Sequence, residues 1–583
     1  MKQKTKKLLQ LSFSLGFLAT TALVATSCKQ PMTVAPKPTD PSKPTNPKNP
    51  STGNPEEPST PTEPVKPTEP AKPVDTTEAK NKLKEVISKK DEKLAMYADY
   101  SVIKGELEKA YSTAELVSKK DNATEEELTD AKNKLEEAIK KANSDKNKFD
   151  ADNNELINEY SSLKELLNNS DIKAIESEAK YSFVKQELTP KLESAKLLIS
   201  EGYQKNGLNK EELLNKKEEL TNELTNFNSL YKQNIEQYYN GKSFVIDSEK
   251  IQTNKDYTDN HNDNEKTNNI YSGNVNLDWK YSERRVKKTD GNWMNLNGSK
   301  WIYNLNGNSA KYEFEFTNYA KESLKLIFPY KIMRNQYKND YALDIFLNGV
   351  KITTQLAYRG VQYISLAEIE LNNLKFGKNK LTFSVPVGKK NPLIGNMYLL
   401  SDDSKIKDVI YQLNGQTDNE NGIISVDLSK AIGGSTSFLT KFETINYHEK
   451  EHIILKNIGK FNVSSSQYTA QYTVCIYVSE QGEYNVGLTY NSNAWSELYL
   501  STFNSNENDT LTRASGLIKI KNESGFNNIL TTEQDKIKKI NPEISQLNTL
   551  KINLKQGWNN IVIGKNDRVS PYIESILFKK VTT

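Results

Sequence analysis

Apolar positions change period once along this chain. From Thr76 to about Lys242 they recur with helical spacing: Leu107, Ala110, Tyr111, Ala114 and Val117 fall on one stripe, and Leu128, Ala131, Leu135, Ala138, Ile139 and Ala142 on another. Thr124 and Glu127 between them have the spacing of a capping box, which predicts a fresh helix start. Tyr100-Ser101-Val102-Ile103-Lys104-Gly105-Glu106-Leu107 repeats as Tyr181-Ser182-Phe183-Val184-Lys185-Gln186-Glu187-Leu188, 81 residues on. After four extra residues, Gly202 to Lys205, the offset becomes 85, and Asn209 with Glu212 repeats the Thr124–Glu127 pair. One such helix cannot bury its stripe alone, so the pattern predicts two tandem three-helix modules, 76–155 and 156–242.

Beyond Gly241 the period falls to two. Lys311-Tyr312-Glu313-Phe314-Glu315-Phe316, Leu343 to Val350 and Lys380-Leu381-Thr382-Phe383-Ser384-Val385 alternate between turn-rich segments, the pattern of an antiparallel β-sandwich. This half is duplicated too. Leu374-Lys375-Phe376-Gly377-Lys378-Asn379-Lys380-Leu381 matches Leu554-Lys555-Gln556-Gly557-Trp558-Asn559-Asn560-Ile561 at an offset of 180, each followed by a strand, a proline turn (Pro392, Pro571) and a last strand. Two sandwiches, 243–405 and 406–583, are expected.

The N-terminus follows another logic. Lys2, Lys4, Lys6 and Lys7 precede an apolar run, Leu8 to Val24, that ends in Ala25-Thr26-Ser27-Cys28. That is a secretory leader, 1–27, with a small-residue cleavage site. Its run is short and holds Ser12, Ser14, Thr20 and Thr21, against the ~20 predominantly apolar residues a spanning helix needs. Cys28 as the new N-terminus supplies a thiol for lipidation, and two acyl chains suffice for stable anchoring. Segment 28–75 is Pro-rich, so it forms neither helix nor sheet and is expected as an extended stalk on the order of 100 Å long.

Charge and cysteine narrow the function. Lys plus Arg total 79 against 75 Asp plus Glu, and the four excess charges are the leader lysines, so the rest of the chain is balanced. Nucleic acid as a partner would require a basic stripe that is not present. After Cys28 only Cys475 remains, in the strand-like Tyr472 to Tyr477, where it reads as a small buried hydrophobe. An exported chain with no internal disulfide must be held by packed cores.

The Tyr-Ser-x-(Ile/Val)-Lys-x-Glu-Leu helix, followed by Asn122 to Leu128 and Ala131 to Leu135, resembles the FIVAR-type repeats of bacterial surface proteins. The sandwich ends and Gly482-Glu483-Tyr484-Asn485-Val486-Gly487-Leu488-Thr489-Tyr490 resemble galactose-binding-like (jelly-roll) carbohydrate-binding modules. In this order behind such a leader, and with Pro392-Leu393-Ile394-Gly395-Asn396-Met397 and Leu94 to Tyr100, the chain resembles the mycoplasmal variable lipoprotein haemagglutinins. The two periods predict a multidomain chain, all-α modules followed by two all-β sandwiches, and the resemblance implies a surface adhesin that binds host sialoglycoconjugates or host proteins; no cofactor is expected.

Candidate chemistry is then weighed residue by residue. Asn491-Ser492-Asn493-Ala494-Trp495 follows a predicted strand and offers amides beside an indole, which either stacks on a pyranose or packs into the core. Asn566-Asp567-Arg568 precedes Pro571, and its guanidinium could pair with a sugar carboxylate. Trp293 and Trp301 flank Asn295-Leu296-Asn297-Gly298 in the first sandwich as an analogous pair. His448-Glu449-Lys450-Glu451-His452 is a formal H-E-x-x-H string, but Thr444 to Tyr447 before it and Ile453 to Leu455 after it favour strand or turn. In a strand the imidazoles would stand ~13 Å apart, so a zinc hydrolase is the weaker alternative. Asp256 to Glu265 is oxygen-rich yet lacks the glycine and distant glutamate of an EF-hand, so no metal is assigned. A host-protein-binding surface on the helical repeats is the other alternative to glycan binding.

Overall fold

The computed structural model describes residues 75–246, 251–252, 279–305, 310–332, 339–352, 354–360, 363–435, 440–447, 449–460, 471–492, 494, 496–502, 516–520, 523–530, 551–565 and 569–581. The leader, Cys28 and the stalk lie outside them. No helix among the described residues is long and apolar enough to cross a membrane.

The helical half begins with Thr77–Ile87, Ser101–Lys119 and Glu125–Asp152, whose stripes close around Leu83, Leu107, Tyr111, Leu128 and Leu135. Thr124 starts the last of these as expected: its hydroxyl accepts from Glu127 N at 3.1 Å, while Glu127 Oε2 accepts from Thr124 N at 2.9 Å. Asn154–Leu167, Ser182–Leu198 and Lys210–Asn226 follow, with Asn209 Oδ1 accepting from Glu212 N at 2.9 Å. Short helices Lys90–Ala95 and Ser170–Ser177 are interposed, so each repeat holds more than the three helices its pattern predicts.

The four extra residues of the second repeat have a structural task. Tyr203 N donates to Asp99 O at 2.6 Å, and Gln204 Oε1 accepts from Val102 N and Ile103 N at 2.9 and 3.1 Å, capping the helix Ser101–Lys119 from the other repeat. Gly202 makes this approach possible. Its φ is +77°, and a Cβ there would collide with the Asp99 carbonyl oxygen. Gly202→Ala should therefore cost about 2 kcal/mol or more, and hydrogen exchange at Val102 and Ile103 should accelerate; unchanged protection would show that the clasp is dispensable.

The second helical segment does not end in a free linker. Phe227–Tyr231 winds as one π-helical turn and Lys232–Tyr239 continues onto the first β-region. Tyr231 packs against Tyr319 and Phe376 at 4.3 and 5.3 Å, Phe183 against Phe376 at 5.3 Å, and Tyr238 Oη donates to Thr317 O at 2.8 Å. One apolar core consequently runs from Tyr160 and Leu213 through Tyr238 to Phe314, Phe328 and Phe383.

The β-half alternates as expected but assembles differently. In the first lobe a five-stranded sheet (Ile251–Gln252, Lys311–Asn318, Gly377–Ser384, Asp344–Leu347, Val350–Ile352) accompanies strands of a larger sheet that include Trp279–Lys287, Trp293–Leu305, Leu324–Lys331 and Leu393–Gly395. The second lobe adds another five-stranded sheet, among it Tyr472–Val478 and Gly557–Lys565. The alternation predicts separate sandwiches. In the structure, Lys441–Tyr447 of the second lobe pairs in parallel with Trp279–Lys287 of the first (Phe442↔Val286, Glu443↔Lys287), and a fifteen-stranded sheet runs through both lobes.

The duplication shows at atomic level in the turn before Gly377–Ser384 and before Gly557–Lys565. Asn379 Oδ1 accepts from Lys375 N at 2.9 Å while its Nδ2 donates to Lys375 O and Gly377 O; Asn559 does the same with Lys555 N at 3.0 Å, Lys555 O and Gly557 O. Gly377 and Gly557 take φ of +92° and +93° in these turns. Asparagine side chains thus satisfy backbone groups that the tight turn leaves without a ladder partner.

Arg284 ties the lobes together. It stands on Trp279–Lys287 with 3% exposure, and its Nη1 donates to Leu428 O, Ser429 O and Ala431 O at 3.0, 2.9 and 2.9 Å. Nη2 reaches Tyr472 Oη at 3.3 Å, and the guanidinium lies 4.8 Å from the Phe442 ring centroid.

Candidate functional site at the lobe junction

The sequence candidates disperse. Asn491 is the penultimate residue of the strand Gly482–Ser492, opposite Tyr572 and half-buried. Asn493, Trp495, Asn566, Asp567 and Arg568 lie outside the described residues, as does the Trp293 side chain. Trp301 requires a correction: it is 2% exposed inside the core with Ile327 and Leu393, so its ring meets no ligand. Trp301 and its neighbour Ile302 take opposite faces of this strand and both are buried, Trp301 in the core with Val286 and Ile327 and Ile302 in the core with Leu326 and Phe328.

His448 is also outside the described residues, but the rest of the H-E-x-x-H string, Glu449 to His452, belongs to a hairpin. Lys441–Tyr447 and Lys450–Lys456 pair from Phe442↔Leu455 to Tyr447↔Lys450, and Glu449 in the turn has φ +61°. His452 is turned inward, 7% exposed, with Nδ1 3.0 Å from Glu574 Oε1. Among the described residues no group of three or more His, Cys, Asp or Glu could hold a metal ion. Cys475 is fully buried as expected. Burial pushes its thiol far up, and Sγ lies 3.8 Å from Asn560 Oδ1.

What residue patterns missed is a cleft of about 340 Å³ between the lobes. The first lobe supplies Tyr330, Ala357, Arg359, Tyr363, Ser365, Leu366 and Glu368; the second supplies Tyr477, Gly557 and Trp558, and Ile410 of the helix Ile406–Asn414 completes the wall. Trp558 Nε1 donates to Ile364 O at 2.8 Å, and Asn560 holds the same residue from both sides, accepting from Ile364 N at 2.7 Å and donating to Ile364 O at 2.9 Å. These bonds hold Ile364, the neighbour of Tyr363. Arg359 is exposed with its guanidinium 4.5 Å from the Tyr363 ring centroid, while Tyr363, Tyr477 and Trp558 are half-buried. Tyr330 is buried, its Oη donates to Ala357 O at 3.0 Å, and burial pushes its phenol up. Such a cleft can stack a flat apolar face on rings while a donor-only guanidinium and an acceptor-only carboxylate reach polar groups at its edge.

One signal in the sequence could have found it. Trp558 and Asn560 occupy the repeat positions held by Lys378 and Lys380 in the first copy, so the stacking ring and the amide clasp are present in one copy only.

A family model described as Mycoplasma haemagglutinin matches residues 212–362 and 351–580. The chain belongs to that family. A FIVAR domain model matches residues 79–143, the first helical repeat. The haemagglutinin match starts inside the helix Lys210–Asn226, in keeping with a core shared by those helices and the first β-lobe. No curated protein matches the chain. Solved structures with some similarity include an isomalto-dextranase of Arthrobacter globiformis complexed with panose (10% identity, 49% of this chain and 36% of that one, TM-score 0.19). Others are a family 35 carbohydrate-binding module from Clostridium thermocellum (16% identity, 22% and 90%, TM-score 0.15) and CBM35 of Cellvibrio japonicus Abf62 (11%, 27% and 94%, TM-score 0.15). The chain spans about a third of the length of the first. At these scores neither fold nor ligand is carried over.

Proposed function

We propose that this member of the haemagglutinin family is a surface adhesin without catalytic activity, held to the outer face of the cell membrane by lipid on Cys28 and raised by the Pro-rich stalk. Its partners are host cell-surface glycans or glycoproteins, bound by the β-lobes. The family match across 212–580 carries this reading, because it falls on the lobes and on the helices packed into them.

The test is agglutination of erythrocytes by vesicles or beads bearing the mature chain. A cut at residue 242 would open the shared core through Tyr238, so the informative truncation removes 77–152, whose stripes close on a cluster of their own. Agglutination should persist without that segment. Loss of agglutination with the lobes still folded would move recognition to the helical repeats, and chelator-sensitive hydrolysis of a surface substrate would favour an enzyme instead.

A further inference from the structure

The cleft between the lobes joins several stacking faces with two opposite charges, open to solvent. We infer that it binds a neutral sugar ring, a hexopyranose carrying neither carboxylate nor sulfate. This deepens the adhesin reading and rests on it.

Charge decides the class. Arg359 and Glu368 are the two charged residues lining the cleft, both exposed, one of each sign. An anionic ligand gains from Arg359 and loses against Glu368; a cation does the reverse. A hydroxyl satisfies both, accepting from the guanidinium and donating to the carboxylate, and charge-assisted bonds of this kind are the stronger ones. Shape agrees with chemistry: one face of a pyranose is lined by C–H groups and suits the rings of Tyr363, Tyr477 and Trp558, and about 340 Å³ is near the lower limit of ligand pockets, roughly 300–1,000 Å³.

Two further observations favour a built site. Arg359 lies against Tyr363, and the adjoining Ile364 is bonded by both Trp558 and Asn560, so the Tyr363 and Trp558 rings need little ordering on binding. The equivalent positions of the first copy, Lys378 and Lys380, supply neither ring nor clasp, so the duplication does not repeat the arrangement.

The experiment is calorimetric titration of the mature chain with methyl glycosides of galactose, glucose and mannose, and with the methyl glycoside of N-acetylneuraminic acid as the anionic probe. At least one neutral glycoside should bind, and Glu368→Gln and Arg359→Gln should each weaken it about tenfold or more without shifting the melting temperature, since both side chains are exposed. Preferential binding of the acidic glycoside, tightened by Glu368→Gln, would overturn the neutral class. Neutral binding indifferent to both substitutions would overturn the cleft as its place. No binding by any probe, while the same preparation agglutinates erythrocytes, would overturn the inference and leave the adhesin reading standing; absence of agglutination by the wild type would sink that reading itself.

Discussion

Arg284→Met should split thermal unfolding into two transitions and lower the first by at least about 3 kcal/mol. The guanidinium is nearly inaccessible and serves three backbone carbonyls in the segment Leu428–Ala431, the Tyr472 hydroxyl and the Phe442 ring, all in the second lobe, from a strand of the first. Methionine fills much of the volume but leaves those carbonyls buried without a donor. Each unsatisfied group costs about 1–3 kcal/mol, and the loss falls at the junction rather than inside either core. Arg284→Lys should restore little, because one ammonium cannot present the planar fork that reaches several acceptors at once. Calorimetry reads this directly: a single transition at the wild-type temperature would show that the parallel pairing of Phe442 with Val286 holds the lobes unaided.

Trp301→Ala should cost about 3–5 kcal/mol, the range for truncating a large buried ring. At 2% exposure the indole packs in the apolar layer, on a strand paired to Ser282 on one side and Gly395 on the other. Denaturant titration gives the stability change. Glycan binding by the fraction still folded should be unaltered, which separates a core residue from a ligand-stacking one. A variant that keeps its stability but loses binding would return Trp301 to the role its flanking asparagines suggest from sequence.

Trp301 and Trp558 together show where residue patterns run out. Both are tryptophans in β-regions, and nothing local separates them. Trp301 is buried because both faces of its strand are covered at this point, its own side chain in one core and that of its neighbour Ile302 in the other. Trp558 is half-exposed because its turn meets the other lobe, where Ile364 O takes its Nε1–H and leaves the ring at a cleft wall. Arg359 is a similar case. It is one of six arginines in the chain, and its sequence neighbours carry no motif. Its guanidinium lies against Tyr363, whose neighbour Ile364 is bonded by Asn560, 196 residues further along the chain.

By itself the sequence determined everything that depends on spacing along one segment. Helical period, the Thr124 and Asn209 caps, strand alternation, the repeated Gly-x-Asn turn and the burial of Cys475 all follow from interactions within a few residues or from one face of one element. Tertiary structure alone decided how the units join. The Gly202–Gln204 clasp, the core shared by helices and the first lobe, the parallel pairing that merges two expected sandwiches into a continuous sheet, the Arg284 tie and the cleft all require partners distant in the chain. Their free energy depends on burial and hydrogen-bond satisfaction between surfaces that local pattern does not specify.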